Sequence, residues 1–165
     1  MTRLSEFNEM DGRAAAAVLR PCLGVDRWVG AVVRDRPYAG IDDLLAVARS
    51  AAHPLTAQEV EAALARHPRI GDRARGTTPE ARLSRSEQAG LVLDDDLQRR
   101  LAEGNRAYER RFGRVFVVRA AGRSSQEILA LLETRLGHDD HTEDEVVAEQ
   151  LRQIAMLRLA VAVSP

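Results

Sequence analysis

Apolar residues recur along most of this chain every three to four positions, which is the period of an amphipathic helix. The pattern is clearest from about Asp95 to Phe112, where one face carries Leu97, Leu101, Asn105, Tyr108 and Phe112. Gly113 follows and is suited to end that helix in a left-handed conformation. Val115 to Val118 is the one strand-like run. The pattern therefore predicts a long helix followed by a short extended segment.

Helix-start signals divide the rest of the chain. Capping boxes, in which a hydroxyl and a carboxylate three residues apart bind the first amides of a helix, are predicted at Thr56 to Glu59, Ser84 to Glu87 and Ser124 to Glu127. Further starts are predicted at Asp11, Asp26, Gly40 and Thr142. Pro68 should end one helix near His67. Gly71 to Arg82 is predicted to be a loop, with a helical turn from Pro79 as the alternative.

Composition agrees with this helical pattern. The chain has 165 residues, of which 45% are hydrophobic but only 4% aromatic. Its core must therefore be built mainly from Leu, Val, Ile and Ala, and the Ala and Leu in that mix favour helices over strands. We predict an all-α fold: a compact single-domain helical bundle over residues 1–165, with one short extended segment near 115–118.

Charge and cysteine content exclude several classes of protein. Lys and Arg number 24 against 25 Asp and Glu, so the basic excess that favours nucleic-acid binding is absent. A single cysteine, Cys22, permits neither an internal disulfide nor a Cys-rich metal site. The sequence has no apolar run long enough to span a membrane and no signal-peptide pattern at Met1 to Met10. We expect a cytoplasmic protein without metal, and a solvated loop at His138 to His141.

Three ionisable residues interrupt the apolar faces. His67 follows Val60, Ala63 and Leu64 at helical spacing, so it faces either a pocket or the core, where it would bind a backbone carbonyl. Arg158 occupies a position on a stripe formed by Val147, Leu151, Ile154 and Val161. A guanidinium there requires an anion, supplied by a ligand or by a protein carboxylate, unless its side chain reaches outward to solvent.

Glu87 is the third of these residues, and two interpretations remain open for it. Leu83, Glu87 and Leu91 are spaced by four, which places Glu87 on the inward side of a helix. Glu87 also has the position of the glutamate in the Ser84 capping box. The sequence alone does not separate a role in a site from a role in the cap.

The segment His67-Pro68-Arg69-Ile70-Gly71 resembles the His-Pro-x-Ile-Gly signature of 2-oxo-4-hydroxy-4-carboxy-5-ureidoimidazoline (OHCU) decarboxylases. Ser84 to Gly90 resembles the Ser-x-x-Glu-Gln-x-Gly segment of the same family. Later blocks are also similar: Asn105-x-x-Tyr108, Arg111-Phe112-Gly113-x-x-Phe116, Gly122-Arg123-Ser124, Arg135-Leu136-Gly137 and Ile154-Ala155-x-x-Arg158-Leu159. Two departures stand out: Arg114-Val115 replaces a less charged pair, and His138 replaces a common Asn.

The resemblance implies a function and a set of site residues. It implies cofactor-free decarboxylation of OHCU to (S)-allantoin in urate breakdown, by a homodimer that binds a small anionic substrate. The catalytic residues would be His67, Glu87 and Arg158. Substrate contacts would come from Pro68, from the α-helical Ser84, Arg85, Ser86, Glu87 and Gln88, and from the extended Arg114, Val115, Phe116, Val117 and Val118. The alternatives are a helical module that binds a ligand without turnover and a DNA-binding regulator, the latter disfavoured by charge.

Overall fold

The computed structural model describes residues 1–71, 78–92 and 94–165. These residues form nine helices and two very short strands, which confirms the all-α prediction. The helices are α1 (Leu4–Glu9), α2 (Gly12–Leu19), α3 (Asp26–Arg34), α4 (Ile41–Ala51), α5 (Ala57–Leu64), α6 (Pro79–Gln88), α7 (Asp95–Phe112), α8 (Ser125–Leu136) and α9 (Asp140–Ala162). The strands are β1 (Thr2–Arg3) and β2 (Val163–Ser164).

The chain packs as two compact units, residues 1–63 with 151–165 and residues 64–150. In the first unit, α3 packs against α2 and α4. The fully buried Trp28 donates from its indole N–H to the Ala48 carbonyl at 2.8 Å, which ties α3 to α4. Strands β1 and β2 pair in parallel, with Thr2 opposite Val163. The prediction that residues 1–165 form one domain stays a prediction.

The second unit is built around the pair of helices α7 and α8. Its core is aliphatic and aromatic, and includes Leu101, Tyr108, Phe116, Ile128 and Leu132. Gly104, in the middle of α7, lies so close to Leu132 that a Cβ atom would collide with that side chain. The glycine therefore permits the close approach of the two helices. Helix α7 has the predicted bounds, with Gly113 as its left-handed cap at φ 68°.

The capping box predicted at Ser84 is wrong. Helix α6 begins earlier, with Thr78 as its N-cap and Pro79 in the first helical position, and the Thr78 hydroxyl accepts from the Ala81 amide at 3.2 Å. Proline is favoured at that position because its fixed φ suits a helix and it has no amide to satisfy. Ser84 and Glu87 thus lie inside the helix. Of the predicted loop from Gly71 to Arg82, residues 72–77 lie outside the described residues, and Pro79 to Arg82 belong to α6, where a helical turn had been predicted.

Other helix starts were predicted with mixed success. The capping boxes at Thr56 and Ser124 are confirmed, as is the cap by Asp11. Asp26 does not cap α3: it is the first helical residue and pairs with Arg20 at 2.6 Å. The last helix begins at Asp140, before Thr142, because the Asp139 carboxylate accepts from the Thr142 amide at 2.8 Å.

Helix α1 and the β1–β2 pair were not predicted. Residues 115–118 are neither helix nor strand and join no sheet. None of the helices in the described ranges has the length and hydropathy needed to cross a membrane.

Candidate active site

His67 lies directly after α5, in a short irregular segment of the second unit. Its amide donates to the Leu64 carbonyl at 2.9 Å, a turn that carries the chain beyond the end of the helix. Helix α5 therefore ends at Leu64, three residues earlier than Pro68 alone suggested. The His67 side chain is half-buried and its Nε2 atom is fully buried. The imidazole is therefore partly packed against the protein and partly open to solvent.

The peptide unit joining Ile70 to Gly71 is bound at both of its polar edges. The buried Asn105 of α7 donates from Nδ2 to the Ile70 carbonyl at 2.9 Å. Gln88, the last residue of α6, accepts at Oε1 from the Gly71 amide at 3.0 Å. Gly71 has φ 87°, a conformation that strongly favours glycine. This arrangement fixes the end of the segment that contains His67.

Arg69, directly before Ile70, is held by an ion pair with α7. Its Nη2 atom donates to the Glu109 carboxylate at 2.6 Å and its Nε atom donates to the other carboxylate oxygen. This hydrogen-bonded pair with Arg69 lowers the pKa of the Glu109 carboxyl. The three side chains Gln88, Asn105 and Glu109 thus bind three consecutive residues of the segment.

The predicted substrate contacts on α6 differ in exposure. Ser84 is buried, Glu87 and Gln88 are half-buried, and Arg85 and Ser86 are exposed. Because Gln88 binds Gly71, the last turn of α6 lies against the His67 segment. The two motifs that carry the family resemblance therefore meet in space. The structure leaves the predicted substrate contacts of these residues untested.

The irregular segment 114–118 is fixed by buried polar groups. Phe116, Val117 and Val118 are buried, and Arg114 pairs with Asp144 at 2.7 Å. The Val117 carbonyl accepts from Nη1 of the buried Arg135 at 2.7 Å. Since these three side chains are buried, the backbone is the part of 116–118 best suited to contact a ligand.

Arg135 belongs to a buried ionic network that the sequence did not reveal. It binds Glu143, which is fully buried, with Nη2 2.6 Å from Oε1. The Tyr108 hydroxyl donates to the same carboxylate, and His138 Nδ1 lies 2.9 Å from its other oxygen. Burial, together with this hydrogen bond to Glu143, raises the pKa of Tyr108 to about 12. His138, the departure from the family pattern, is thus part of the network.

Arg158 lies on α9 in the first unit, where it is buried as predicted. Its Nη1 atom donates to the Pro21 carbonyl at 3.2 Å. Val147, Leu151 and Ile154 of the predicted stripe are buried, but Val161 is 58% exposed, and Ala155 and Leu159 are buried in addition.

A sequence profile described as OHCU decarboxylase matches residues 8–160, which is nearly the whole chain. The chain belongs to the OHCU decarboxylase family. Two relatives carry the name 2-oxo-4-hydroxy-4-carboxy-5-ureidoimidazoline decarboxylase. The protein from Haloferax volcanii is 28% identical over 95% of this chain and 94% of its own length. The protein from Amia calva is 33% identical over 84% of this chain and 78% of its own length.

The fold is also that of this family. A crystal structure described as OHCU decarboxylase in the presence of (S)-allantoin superposes with a TM-score of 0.70, over 86% of this chain and 94% of that chain. The two sequences are 24% identical, so this likeness bears on the fold. As a member of the OHCU decarboxylase family, the chain is a carboxy-lyase.

Within this family member, the contacts of Asn105 and Glu109 with the His67 segment were not predicted. Asn105 did give a signal, since it is a polar residue on the apolar face of α7. Glu109 gave none, because a glutamate near a helix end is ordinary in a sequence. Across residues 1–71, 78–92 and 94–165, no three His, Cys, Asp or Glu side chains are grouped to hold a metal ion.

Proposed function

We propose that this chain performs the decarboxylation with its own side chains alone, with His67 as proton donor, and yields (S)-allantoin. The reaction, decarboxylation of OHCU to allantoin in urate degradation, is that of the family. The single observation that carries the assignment of residues is the Gly71–Gln88 hydrogen bond, because it brings the His67 motif and the Glu87 motif together.

The substrate explains why side chains suffice. OHCU carries a carboxylate and a hydroxyl on the same ring carbon, next to a ring C=N bond. When the bond to the carboxylate breaks and carbon dioxide leaves, its electron pair is delocalised into that C=N. The substrate thus contains the electron sink that other decarboxylases take from a cofactor. The protein has to orient the carboxylate and deliver a proton to one face of the ring.

The proposed roles follow from side-chain chemistry. His67 delivers the proton, since imidazole exchanges protons near neutral pH. Glu87 binds the substrate hydroxyl or the ureido N–H groups. Gln88 presents its amide N–H₂ to the substrate, because its Oε1 atom is bound to Gly71. Arg158 binds the carboxylate through its planar guanidinium. Pro68, Ser84 and the backbone of 114–118 complete the substrate contacts, with Arg85 and Ser86 at the exposed side of α6.

Optical activity tests the function directly. OHCU generated freshly from urate decarboxylates slowly by itself, and solvent then protonates either face. With this protein present we expect allantoin to form faster and as a single enantiomer. Comparison of its optical rotation with that of an authentic standard should identify that enantiomer as (S). Activity should survive exhaustive chelation and desalting. Racemic allantoin formed at the uncatalysed rate would refute the proposal, and restoration of a lost activity by zinc would refute its metal-free form.

Assembly and location complete the proposal. We infer from the family that the protein is a homodimer in the cytoplasm. Multi-angle light scattering should give twice the 18.2 kDa chain mass. A monomer mass with full activity would rule out a functional need for the dimer.

A further inference from the structure

The clamp on the Ile70–Gly71 peptide uses one side chain on each edge. Asn105 donates to the oxygen and Gln88 accepts from the N–H of the same planar unit. The two side chains come from different helices, α7 and α6. Because a peptide is rigid and planar, bonds to both edges prevent it from rotating.

At the position of Asn105, an apolar residue would stabilise the fold more than an amide does. It is 4% exposed and occupies the apolar face of α7, between Leu101 and Tyr108. Its Oδ1 atom is buried, and no hydrogen bond to it is found among the described residues. A buried acceptor of this kind is destabilising, because it loses its hydrogen bonds to water and gains none in return. A leucine of similar size would continue the apolar face, so the amide is best explained by the peptide that it holds.

We propose that Asn105 is a positioning residue for decarboxylation: by fixing the Ile70–Gly71 peptide, it fixes the place of the His67 imidazole. This inference rests on the proposed function, in which His67 is the proton donor. The link between them is short and stiff. Pro68 has a fixed φ, and Arg69 is bound to Glu109. A rotation of the clamped peptide is therefore transmitted to His67 instead of being absorbed by a flexible loop.

The test compares Asn105→Leu with a matched control, Ser125→Ala. Ser125 is also a buried side chain that donates to a loop carbonyl, that of Val92, at 2.6 Å, and it is remote in sequence from the His67 segment. We expect kcat of Asn105→Leu, counted per folded molecule from unfolding curves in the assay buffer, to fall about tenfold to a hundredfold. KM should change less than about twofold, because the groups that bind substrate remain. Ser125→Ala should keep its kcat.

The outcomes separate this inference from the proposed function. If Asn105→Leu keeps wild-type kcat while His67→Asn is inactive, the positioning role is refuted and the proposed function stands. If Ser125→Ala loses kcat equally, Asn105 acts only through general stability and the inference is again refuted. If His67→Asn is fully active, the proposed function fails and the inference fails with it. Should Asn105→Leu not fold, Asn105→Ala, which introduces no larger group, is measured under the same criteria.

Discussion

Gln88 Oε1 lies 3.0 Å from the amide nitrogen of Gly71 and accepts its hydrogen bond. The two residues belong to motifs separated along the chain by residues 72–83, and each motif alone has an ordinary structural explanation. Their contact shows that the two motifs meet in the folded protein, which a separate structural role for each motif does not explain. The last turn of α6, which contains Glu87, is held against the segment that contains His67, and Glu87 has no part in the N-cap of its helix.

The position of Glu87 leads to the first prediction, that Glu87→Gln folds normally but loses most of its turnover. Thr78 caps α6, and glutamine is as good a helix former as glutamate, so the free energy of unfolding should change by less than about 0.5 kcal/mol. The missing negative charge should lower kcat roughly a hundredfold. Glu80→Gln, in the first turn of the same helix, is the control and should stay active. Full activity of Glu87→Gln would remove Glu87 from the catalytic residues.

We predict that Arg158→Leu weakens substrate binding, measured as a rise in KM, while changing the thermal stability of the protein little. The substitution removes a buried charge, which relieves desolvation, and it releases one hydrogen bond to the Pro21 carbonyl. Tm should stay within a few degrees, and KM should rise at least about tenfold because the substrate carboxylate loses its counter-ion. Arg158→Lys keeps the charge but loses the planar guanidinium, so its KM should lie between those of the wild type and Arg158→Leu. A large fall in Tm with unchanged KM would show that Arg158 is structural.

The ionic network of the second unit provides a prediction about stability. Glu143→Leu leaves the guanidinium of Arg135 buried beside an apolar side chain, which should cost about 3–5 kcal/mol in urea unfolding. Glu133→Leu on α8 breaks the exposed pair with Arg100 and should cost no more than about 1 kcal/mol. The double change Arg135→Met with Glu143→Leu should recover much of the loss, since no buried charge remains. Equal costs for Glu143→Leu and Glu133→Leu would contradict this account.

The acid sensitivity of the first unit should depend on Glu59. Its carboxylate binds Arg27 at 2.7 Å, and this hydrogen bond lowers the pKa of Glu59 from 4.5 to about 2. A carboxyl group whose pKa is lower in the folded protein than in the unfolded chain stabilises the fold at pH values above its unfolded-state pKa. For Glu59 this stabilisation is lost as the pH falls from 4.5 to about 2. Glu59→Gln should therefore be less stable than wild type at pH 7, and the difference should close over this window. Urea midpoints measured against Glu61→Gln, an exposed change on the same helix, test this, and a constant difference down to pH 2 would refute it.

Local sequence signals predicted much of the fold because they act within a single turn of helix. Asp11, Thr56, Gly113 and Ser124 behave as predicted since each acts on amides or φ angles a few residues away. Signals failed where two of them competed. Ser84 has capping-box spacing, but Thr78 followed by Pro79 starts the helix first.

Partners distant in sequence could not be predicted in the same way. Glu143 directly follows the helix start predicted at Thr142, and nothing in the sequence indicates that it is fully buried against Arg135 on another helix. Asn105 was placed on the correct face of α7, but its acceptor, the Ile70 carbonyl, is 35 residues away. A backbone carbonyl carries no mark in the sequence, so only the structure reveals the clamp. Periodicity drew attention to His67 and Glu87, but the roles proposed for them depended on the family motifs.

The central prediction concerns His67, because the proposed reaction needs one group to deliver a proton to one face of the ring. His67→Asn keeps a polar side chain of lesser size at a half-buried position and leaves the contacts of Ile70 and Gly71 unchanged, so the protein should fold. It removes the imidazole that is the proposed proton donor. Without it, solvent protonates the decarboxylated intermediate on both faces.

Allantoin formed in the presence of His67→Asn should therefore be racemic and should appear at the rate of the no-enzyme mixture. Circular dichroism of the product measures both quantities in one trace. His53→Asn, a change at another histidine, in the first unit, is the matched control and should give optically active product at the wild-type rate. If His67→Asn still yields allantoin of one hand faster than the no-enzyme mixture, another group delivers the proton. The clamp around Ile70 and Gly71 would then need a different explanation.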